Sequence, residues 1–227
     1  MKQVYFDNAA TTQMREEVVN RMAEVMKNVY GNPSSTHAFG RSAKTLIEQA
    51  RKTVAKILNV SASEIIFTSG GTEADNLILN SAVRDLGVKR IITSKIEHHA
   101  VLYTLNKLHE VHNATIEYVK LDDCGRVDLD HLEELLSSSK EKTLVSLMHV
   151  NNEVGNLLDI KKTGEICRAH KALFHSDTVQ SIGHYDLDLS QIPVDFTAVS
   201  AHKSVSYTHL RAHETVLDLV CRLLLEK

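Results

Sequence analysis

The chain has 227 residues, of which 43% are hydrophobic and 24% are charged, and its formal net charge is −3. This composition is typical of a globular protein, and the charge gives no electrostatic reason to expect binding to nucleic acid or to an anionic membrane. No apolar run approaches the roughly 20 residues that a membrane-spanning helix needs, and the first residues lack the apolar core of a signal peptide.

Cysteine and histidine usage argues against a disulfide framework and against a metal site. The three cysteines, Cys124, Cys167 and Cys221, lie far apart and form no CxxC pair. We therefore expect a reducing, cytoplasmic location. The 13 histidines include no HExxH motif and no paired Cys/His zinc pattern, so we predict no metal site.

Short β-branched runs alternate along the chain with segments of helical periodicity. The predicted order is two helices at 15–28 and 42–58, a strand at 64–68, a helix at 72–86, a strand at 90–94, a helix at 99–109, a strand at 115–119, a helix at 129–136, a strand at 143–148, a helix at 162–170, and strands at 172–175 and 194–200. This alternation, with continuously apolar strands, predicts an α/β fold of three layers, with a mostly parallel sheet covered on both faces.

The composition changes after residue 203. All nine glycines lie at or before Gly183. We interpret residues 1–203 as one domain and residues 204–227 as an unrelated tail. The tail is predicted to form an amphipathic helix, because five of its apolar residues share one helical face: Val216, Leu217, Val220, Leu223 and Leu224.

A two-glycine turn, Ser69–Glu73, follows the first predicted strand and opens a helix. Glycines let the backbone approach a phosphate closely, and a helix N-terminus supplies free N–H groups to bind it. Gly71 and Thr72 are then candidate phosphate ligands. The alternative is a tight turn in which Thr72 is the helix N-cap.

Polar residues also follow the next strands. His98 and His99 stand at a predicted helix start, where an imidazole can stack on a flat heteroaromatic ring or simply cap the helix. Asn151 and Asn152 can donate hydrogen bonds to a phenolate or carboxylate oxygen. Alternatively, they form a polar turn closed by Gly155.

Asp177 and Lys203 each follow one of the last two predicted strands within three residues, and they suggest a cofactor. A carboxylate about 3 Å from a pyridine nitrogen stabilises its protonated form by roughly 5 kcal/mol, whereas the alternative role of Asp177 is to cap a helix. Gln180 can reach the phenolate oxygen of the same ring. A lysine at a strand end is often only solvated, but its amine can also condense with an aldehyde. Because ligands of open α/β sheets bind at the carboxyl ends of strands, the set predicts pyridoxal 5'-phosphate (PLP).

Six stretches resemble the cysteine desulfurases, which are PLP-dependent, class-V aminotransferase-like enzymes of fold type I. They are Tyr5–Thr12, Gly31–Ser35, Phe67–Asn76, Glu97–Val101, Met148–Gly155 and Ser200–Lys203. The residues in these stretches resemble those of the housekeeping type of cysteine desulfurase, which serves iron–sulfur clusters and tRNA thiolation. The resemblance implies a fold type I large domain, conversion of L-cysteine to L-alanine with transfer of sulfur to an enzyme cysteine, a homodimer, and partner proteins that accept sulfur or act as scaffolds.

The resemblance also implies residue roles. Lys203 and His98 correspond to catalytic residues: Lys203 binds the cofactor aldehyde and acts as general base, and His98 stacks on the ring. Asp177 corresponds to the partner of the pyridine nitrogen. The other cofactor contacts that it implies are Gly71, Thr72, Ser200 and His202 at the phosphate, and Asn152 and Gln180 near the phenolate oxygen and substrate.

The chain departs from the family after Lys203. The family continues there with a glycine-rich turn, an antiparallel strand and a small domain that carries the persulfide cysteine, and residues 204–227 match none of these. We therefore expect a truncated, incomplete sheet with unpaired edges, and a chain that is inactive as a desulfurase. Two alternatives stay open: another fold type I enzyme, such as a selenocysteine lyase or an aminotransferase, or a non-catalytic truncated product that binds partners.

Overall fold

A seven-stranded sheet with helices on both faces makes up the described part of the chain. The computed structural model describes residues 3–204 and 220–223. The elements in chain order are α1 (Glu16–Asn28), α2 (Ala38–Leu58), a 3-10 turn (Ala62–Glu64), β1 (Ile65–Phe67), α3 (Gly71–Arg84), β2 (Arg90–Thr93), α4 (His99–His112), β3 (Thr115–Tyr118), α5 (Leu129–Ser137), β4 (Thr143–Ser146), α6 (Ile160–Ala169), β5 (Leu173–Asp177), β6 (Phe196–Ala198), α7 (Ala201–Ser204) and β7 (Val220–Leu223).

The strands are arranged in the order β1–β7–β6–β5–β4–β2–β3. The pairs β2–β3, β2–β4, β4–β5 and β5–β6 are parallel. Strand β7 is antiparallel to both of its neighbours, β1 and β6, so β1 points in the same direction as β2–β6. The predicted mostly parallel sheet is confirmed, and the carboxyl ends of six strands meet at one edge.

Two hydrophobic cores, one on each face, separate the sheet from its helices. Ile91 and Leu144 pack with α3 and α4, whereas the next residues, Ile92 and Val145, pack with α2, α5 and α6. Because side chains alternate between the faces of a strand, each buried strand contributes to both cores and is apolar throughout. The three-layer architecture is confirmed. Among the described residues, no helix combines the length and the apolarity that crossing a bilayer requires.

The helix termini follow local sequence signals. Asp128 caps α5 and Asp159 caps α6, each by accepting a hydrogen bond from a backbone N–H three residues later. Helices α2 and α4 end at Asn59 and Asn113, which take the left-handed conformation with φ of 55° and 53°. Asparagine tolerates this conformation better than most residues. Helix α2 therefore ends at the predicted residue 58, whereas α4 continues three residues beyond the predicted end at residue 109.

The predicted amphipathic helix in the tail is wrong at Val220–Leu223, which form strand β7. A short apolar run can be either helix or strand by periodicity alone. Strands β1 and β6 both offer unpaired backbone groups on the edges that face β7, and four residues of extended chain satisfy both edges at once. The expected unpaired edges are therefore absent at this place among the described strands. The proposed boundary at residue 203 stays a prediction, because residues 205–219 lie outside the described part.

Candidate active site

The carboxylate of Asp177 is buried at the end of β5. Its Oδ1 accepts a hydrogen bond from the backbone N–H of Val179 at 2.9 Å. Burial, with a smaller contribution from the nearby carboxylate of Asp75, raises the pKa of Asp177 to about 7. Among the described residues no Lys, Arg or His nitrogen forms an ion pair with it. A buried carboxylate without a cationic partner favours a bound cation, and a protonated pyridine nitrogen fits this requirement. The alternative role as a helix cap fails, since a turn and no helix follows β5.

Lys203 lies in α7, directly after β6. Strand β6 pairs with β5, and Asp177 is opposite Ala198 in that pairing. Burial lowers the pKa of the half-buried Lys203 amine, while the carboxylates of Asp177 and Glu153 raise it. The amine and the Asp177 carboxylate therefore interact electrostatically at adjacent strand ends, which is the arrangement that a single ring bound between them requires.

The first turn of α3 is an open helix N-terminus. Gly70 is its N-cap in an extended conformation, and no side chain caps the helix. Thr72 is the second residue inside the helix, so its alternative role as N-cap is wrong. A Cβ on Gly71 would lie 3.0 Å from Cγ2 of Val179 and 3.6 Å from Cβ of Ser200. This close approach brings the uncapped N–H groups beside the buried Ser200, and such an arrangement fits a phosphate.

The N-terminal segment packs against the residues around Lys203. The backbone N–H and the hydroxyl of Thr12 both donate to the carbonyl oxygen of His202, at 3.1 and 2.9 Å. Nδ1 of His202 lies 3.2 Å from the hydroxyl of Thr11. The side-chain amide of Gln180 donates to the carbonyl oxygen of Ala9 at 2.9 Å. The segment thus lies at the candidate site.

His98 is the N-cap of α4, and its Nδ1 accepts a hydrogen bond from the N–H of Ala100 at 3.1 Å. This bond lies in the plane of the imidazole and leaves the ring faces available for stacking, so the capping and stacking roles are compatible. His98 also lies close enough to Asp177 to lower the pKa of that carboxyl. The neighbouring His99 is exposed and stacks on Tyr103 instead, with ring centroids 5.0 Å apart.

The two asparagines after β4 have different surroundings. Asn151 is buried; its Oδ1 accepts from the N–H groups of Glu153 and Val154, and its amide donates to the Ile96 carbonyl oxygen. Gly155 closes this turn with φ of 72°. The polar-turn interpretation therefore describes Asn151. The amide of Asn152 donates to the Glu153 carboxylate at 2.6 Å, and its contact with a cofactor stays a prediction.

The comparison with known families agrees with this geometry. The family described as aminotransferase class-V matches residues 4–208. This chain belongs to the class-V aminotransferase family. The match includes all of the predicted site residues, from Gly71 to Lys203.

Sequence relatives of this class-V aminotransferase chain are cysteine desulfurases. It is 42% identical over 204 residues to cysteine desulfurase IscS of Dictyoglomus turgidum, an alignment that covers 89% of this chain and 51% of the relative. The identity to cysteine desulfurase IscS of Methanosarcina thermophila is also 42%, with 89% and 50% covered. The chain therefore spans about half the length of the curated relatives it matches, and the predicted resemblance is confirmed at the level of sequence.

Solved structures show the same fold as this class-V aminotransferase chain. A NifS-like protein superposes with a TM-score of 0.88 at 37% identity, covering 98% of this chain and 59% of the other. A structure titled "SspA in complex with cysteine" superposes with a TM-score of 0.84 at 28% identity, covering 97% and 61%. The PLP-enzyme fold type I that the sequence predicts is confirmed.

Four buried polar residues of this class-V aminotransferase chain were not predicted individually from the sequence as site residues. Asp75, Glu97, Ser146 and His175 lie behind the strand ends, and each is at most 5% exposed. A signal for Asp75 was present in the sequence: it interrupts an apolar helical face of α3 formed by Ala74, Ile78, Leu79 and Ala82. A charged residue at such a position needs a buried partner, and only the fold reveals which one.

Proposed function

We propose that this chain binds PLP at the carboxyl edge of its sheet and belongs to a PLP-dependent cysteine desulfurase. That enzyme takes sulfur from L-cysteine, leaves L-alanine and passes the sulfur to an enzyme thiol, which becomes a persulfide. The observation that carries the proposal is the buried Asp177 without a cationic partner beside the half-buried amine of Lys203. The named relatives supply the reaction, and the structure titled with cysteine supports the substrate.

The chemistry of the proposal divides between the cofactor and the chain. PLP supplies an electron sink for the electron pair that remains when a substrate loses its α-proton. Asp177 holds a proton on the pyridine nitrogen, which makes that sink effective. The Lys203 amine would hold the cofactor through its aldehyde, and as a neutral amine it would accept the α-proton of the substrate. Its lowered pKa favours the neutral amine that both tasks need.

The remaining candidates position the cofactor. The first N–H groups of α3, at Gly71 and Thr72, and the side chains of Ser200 and His202 hold the phosphate. His98 would stack on one face of the ring. Asn152 and Gln180 would contact the phenolate oxygen, and the bond of Gln180 to the carbonyl oxygen of Ala9 holds its side chain at the site.

A spectroscopic titration tests cofactor binding. Adding PLP to the chain should give a visible absorption band, and borohydride reduction should then fix the cofactor on Lys203, as mass spectrometry of peptides would show. The Lys203→Ala variant should lack both. Lys107→Ala is a matched control, because the side chain of that lysine on α4 is 72% exposed and its ion-pair partner within the described residues is Glu110. An equal band in the wild type and in Lys203→Ala would overturn the proposal.

A substrate panel tests the reaction class. L-cysteine should change the spectrum of the PLP-loaded chain at lower concentration than L-selenocysteine, L-aspartate or L-alanine does. A preference for an amino-group donor such as L-aspartate would instead favour an aminotransferase.

Based on the same relatives, we also propose that the protein forms a homodimer in the cytoplasm, with sulfur acceptor or scaffold proteins as partners. Sedimentation at several protein concentrations checks the dimer.

A further inference from the structure

Two buried polar atoms face each other behind Asp177. Oδ1 of Asp75 lies 3.3 Å from Nε2 of His175, and the two side chains are 2% and 0% exposed. Neither atom has a hydrogen-bond partner elsewhere in the described part of the chain. A buried polar atom without a partner loses its hydration and gains nothing in return, so the mutual contact of these two atoms is what makes their burial tolerable.

The contact joins two elements that carry separate parts of the candidate site. Asp75 is the fifth residue of α3, whose first residue, Gly71, opens the phosphate turn. His175 lies two residues before Asp177 on β5, and therefore on the same face of the strand. The other nitrogen of His175, Nδ1, is 2.9 Å from the hydroxyl of Ser146 on β4, which fixes the ring.

The order Asp75, His175, Ser146 has the connectivity of a catalytic triad, but its burial rules out that role. Ser146 and His175 are both 0% exposed, and Asp75 is 1% exposed. No substrate can reach the hydroxyl. The three residues therefore act on the site through position rather than through nucleophilic attack.

The neighbouring residue of α3 makes a parallel connection. Oδ1 of Asn76 accepts a hydrogen bond from the hydroxyl of Thr104 on α4 at 2.7 Å. Helix α4 begins at the His98 cap. Consecutive residues of α3 thus contact the strand that ends at Asp177 and the helix that begins at His98.

We propose that Asp75 and His175 are a positioning pair that sets the spacing between the phosphate turn of α3 and the carboxylate of Asp177. The proposal rests on the proposed PLP site, because PLP is the ligand that would engage both ends at once. Its phosphate and its pyridine nitrogen bind with full strength only if the two subsites stand at the right separation, since small misplacements of binding groups are costly.

The pair acts through contact and not through charge. Burial raises the pKa of Asp75 to about 8 and lowers the pKa of His175 to about 4. Both side chains are therefore largely neutral near pH 7. An asparagine at position 75 retains the shape and one hydrogen bond to the imidazole, so it should replace the carboxyl group.

Three ligands distinguish a changed separation of the two subsites from a general loss of structure at the site. They are PLP, inorganic phosphate, and pyridoxal, which lacks the phosphate group. In Asp75→Ala and His175→Ala the affinity for PLP should fall about tenfold or more, while the affinities for pyridoxal and for phosphate each stay within about twofold. Asp75→Asn should keep PLP affinity within about threefold. Asn80→Ala is the matched control, because Asn80 lies on α3 and the hydrogen bond of its side chain within the described part goes to the Asn76 carbonyl oxygen of the same helix.

Every result of these binding measurements either supports or contradicts the role of Asp75 and His175 as a positioning pair. Unchanged PLP affinity in the alanine variants, or equal losses for all three ligands, would overturn the proposal. A loss in Asp75→Asn as large as in Asp75→Ala would show that charge acts instead. If the alanine variants do not fold, Asp75→Glu replaces them: it keeps the acid but lengthens the side chain by one methylene group, and a selective loss of PLP affinity supports the proposal while unchanged affinity contradicts it. Failure of the wild type to bind PLP would instead refute the proposed function.

Discussion

The buried carboxylate of Glu97 accepts a hydrogen bond from the backbone N–H of Met148 at 2.9 Å. Its other oxygen accepts from the hydroxyl of Ser94 at 2.6 Å. Glu97 therefore ties the loop after β2 to the end of β4, and the residue that follows it is His98. The connection holds the backbone that precedes His98 at the sheet edge, and we expect the position of the His98 ring to depend on it.

Replacing Glu97 with alanine should lower both stability and cofactor binding. The Met148 N–H would be left buried without a partner, at a cost of about 1–3 kcal/mol. We expect the free energy of unfolding, measured by urea denaturation, to fall by that amount and the affinity for PLP to fall at least severalfold.

Glu97→Gln is the matched control, since its side-chain oxygen can still accept from Met148 and its amide can donate to Ser94. This variant should retain most of the stability and the PLP affinity. If the glutamine variant is as unstable as the alanine variant, the charge of Glu97 matters and its role as a hydrogen-bonding tie is contradicted.

The stability of the cofactor-free protein should fall as the pH rises above about 6.5. Burial raises the pKa of Asp75 and of Glu97 to about 8 and that of Asp177 to about 7. Between the unfolded pKa near 4 and these values the native state binds more protons than the unfolded state, so stability decreases with pH. His149 and His175, whose pKa values burial lowers to about 4, act oppositely but only up to about 6.5. Lys203, whose pKa burial also lowers, acts oppositely at alkaline pH, but it is one half-buried group against three buried carboxyl groups.

Thermal melts of the cofactor-free protein at about pH 6.5 and about pH 8.5 test this expectation. The melting temperature should be lower at the higher pH, and Asp177→Asn should reduce the difference by removing one of the three carboxyl groups. Saturating PLP should reduce it too, because a cation beside Asp177 stabilises the ionised form. A melting temperature that is independent of pH, or that rises with pH, would contradict the assigned pKa shifts.

Two glycines should respond to alanine in different ways. A Cβ on Gly71 would lie 3.0 Å from a Val179 methyl group and near Ser200, whereas a Cβ on Gly164 would lie 2.3 Å from the Pro193 carbonyl oxygen. We expect Gly71→Ala to weaken binding of inorganic phosphate severalfold with less than about 1 kcal/mol of lost stability. Gly164→Ala should cost about 1–3 kcal/mol, since the backbone must move.

Isothermal titration calorimetry with inorganic phosphate measures the change in binding. Urea denaturation measures the change in stability separately. Gly164→Ala also provides the control for binding, because Gly164 lies in α6 on the other face of the sheet from α3. If Gly71→Ala binds phosphate as the wild type does, the start of α3 is not the phosphate subsite.

Periodicity and turn residues were sufficient to predict most of the fold. The six predicted strands and six predicted helices all occur, because each apolar run is long enough to be assigned and is bounded by a cap such as Asp128 or Asn113. Strand β7 was not predictable, since a four-residue apolar run takes its structure from the neighbours that need backbone partners. Here those neighbours are β1 and β6, which are far apart in sequence.

Site residues were predictable from the sequence only where a side chain with suitable chemistry directly follows a predicted strand. Asp177 and Lys203 follow predicted strands, so the edge rule for open sheets places them together. The pairing of Asp75 with His175 depends on the packing of α3 against the sheet, across 100 residues of sequence, and no local pattern specifies it. The role of Asn151 was ambiguous, because an asparagine after a strand can either form a polar turn or bind a ligand, and the local sequence is the same in both cases.

Sulfide release from this chain with L-cysteine, PLP and a reductant should not exceed that of Lys203→Ala. Cys167 is buried in α6, and burial raises the pKa of its thiol, which disfavours the thiolate that accepts sulfur. Cys124 is exposed in the turn after β3, where its carbonyl oxygen accepts a hydrogen bond from the side-chain amide of Asn156 at 2.7 Å. Neither thiol matches the persulfide cysteine that the resemblance implies, so we expect neither of them to receive the sulfur.

A methylene blue assay for sulfide measures this outcome, with Cys124→Ser and Cys221→Ser as further variants, since the side chain of Cys221 lies outside the described part. Sustained sulfide production that requires Lys203 would contradict the expectation. Loss of that production in one of the two serine variants would then identify the cysteine that accepts the sulfur, because a persulfide can form only on a thiol that the substrate sulfur reaches.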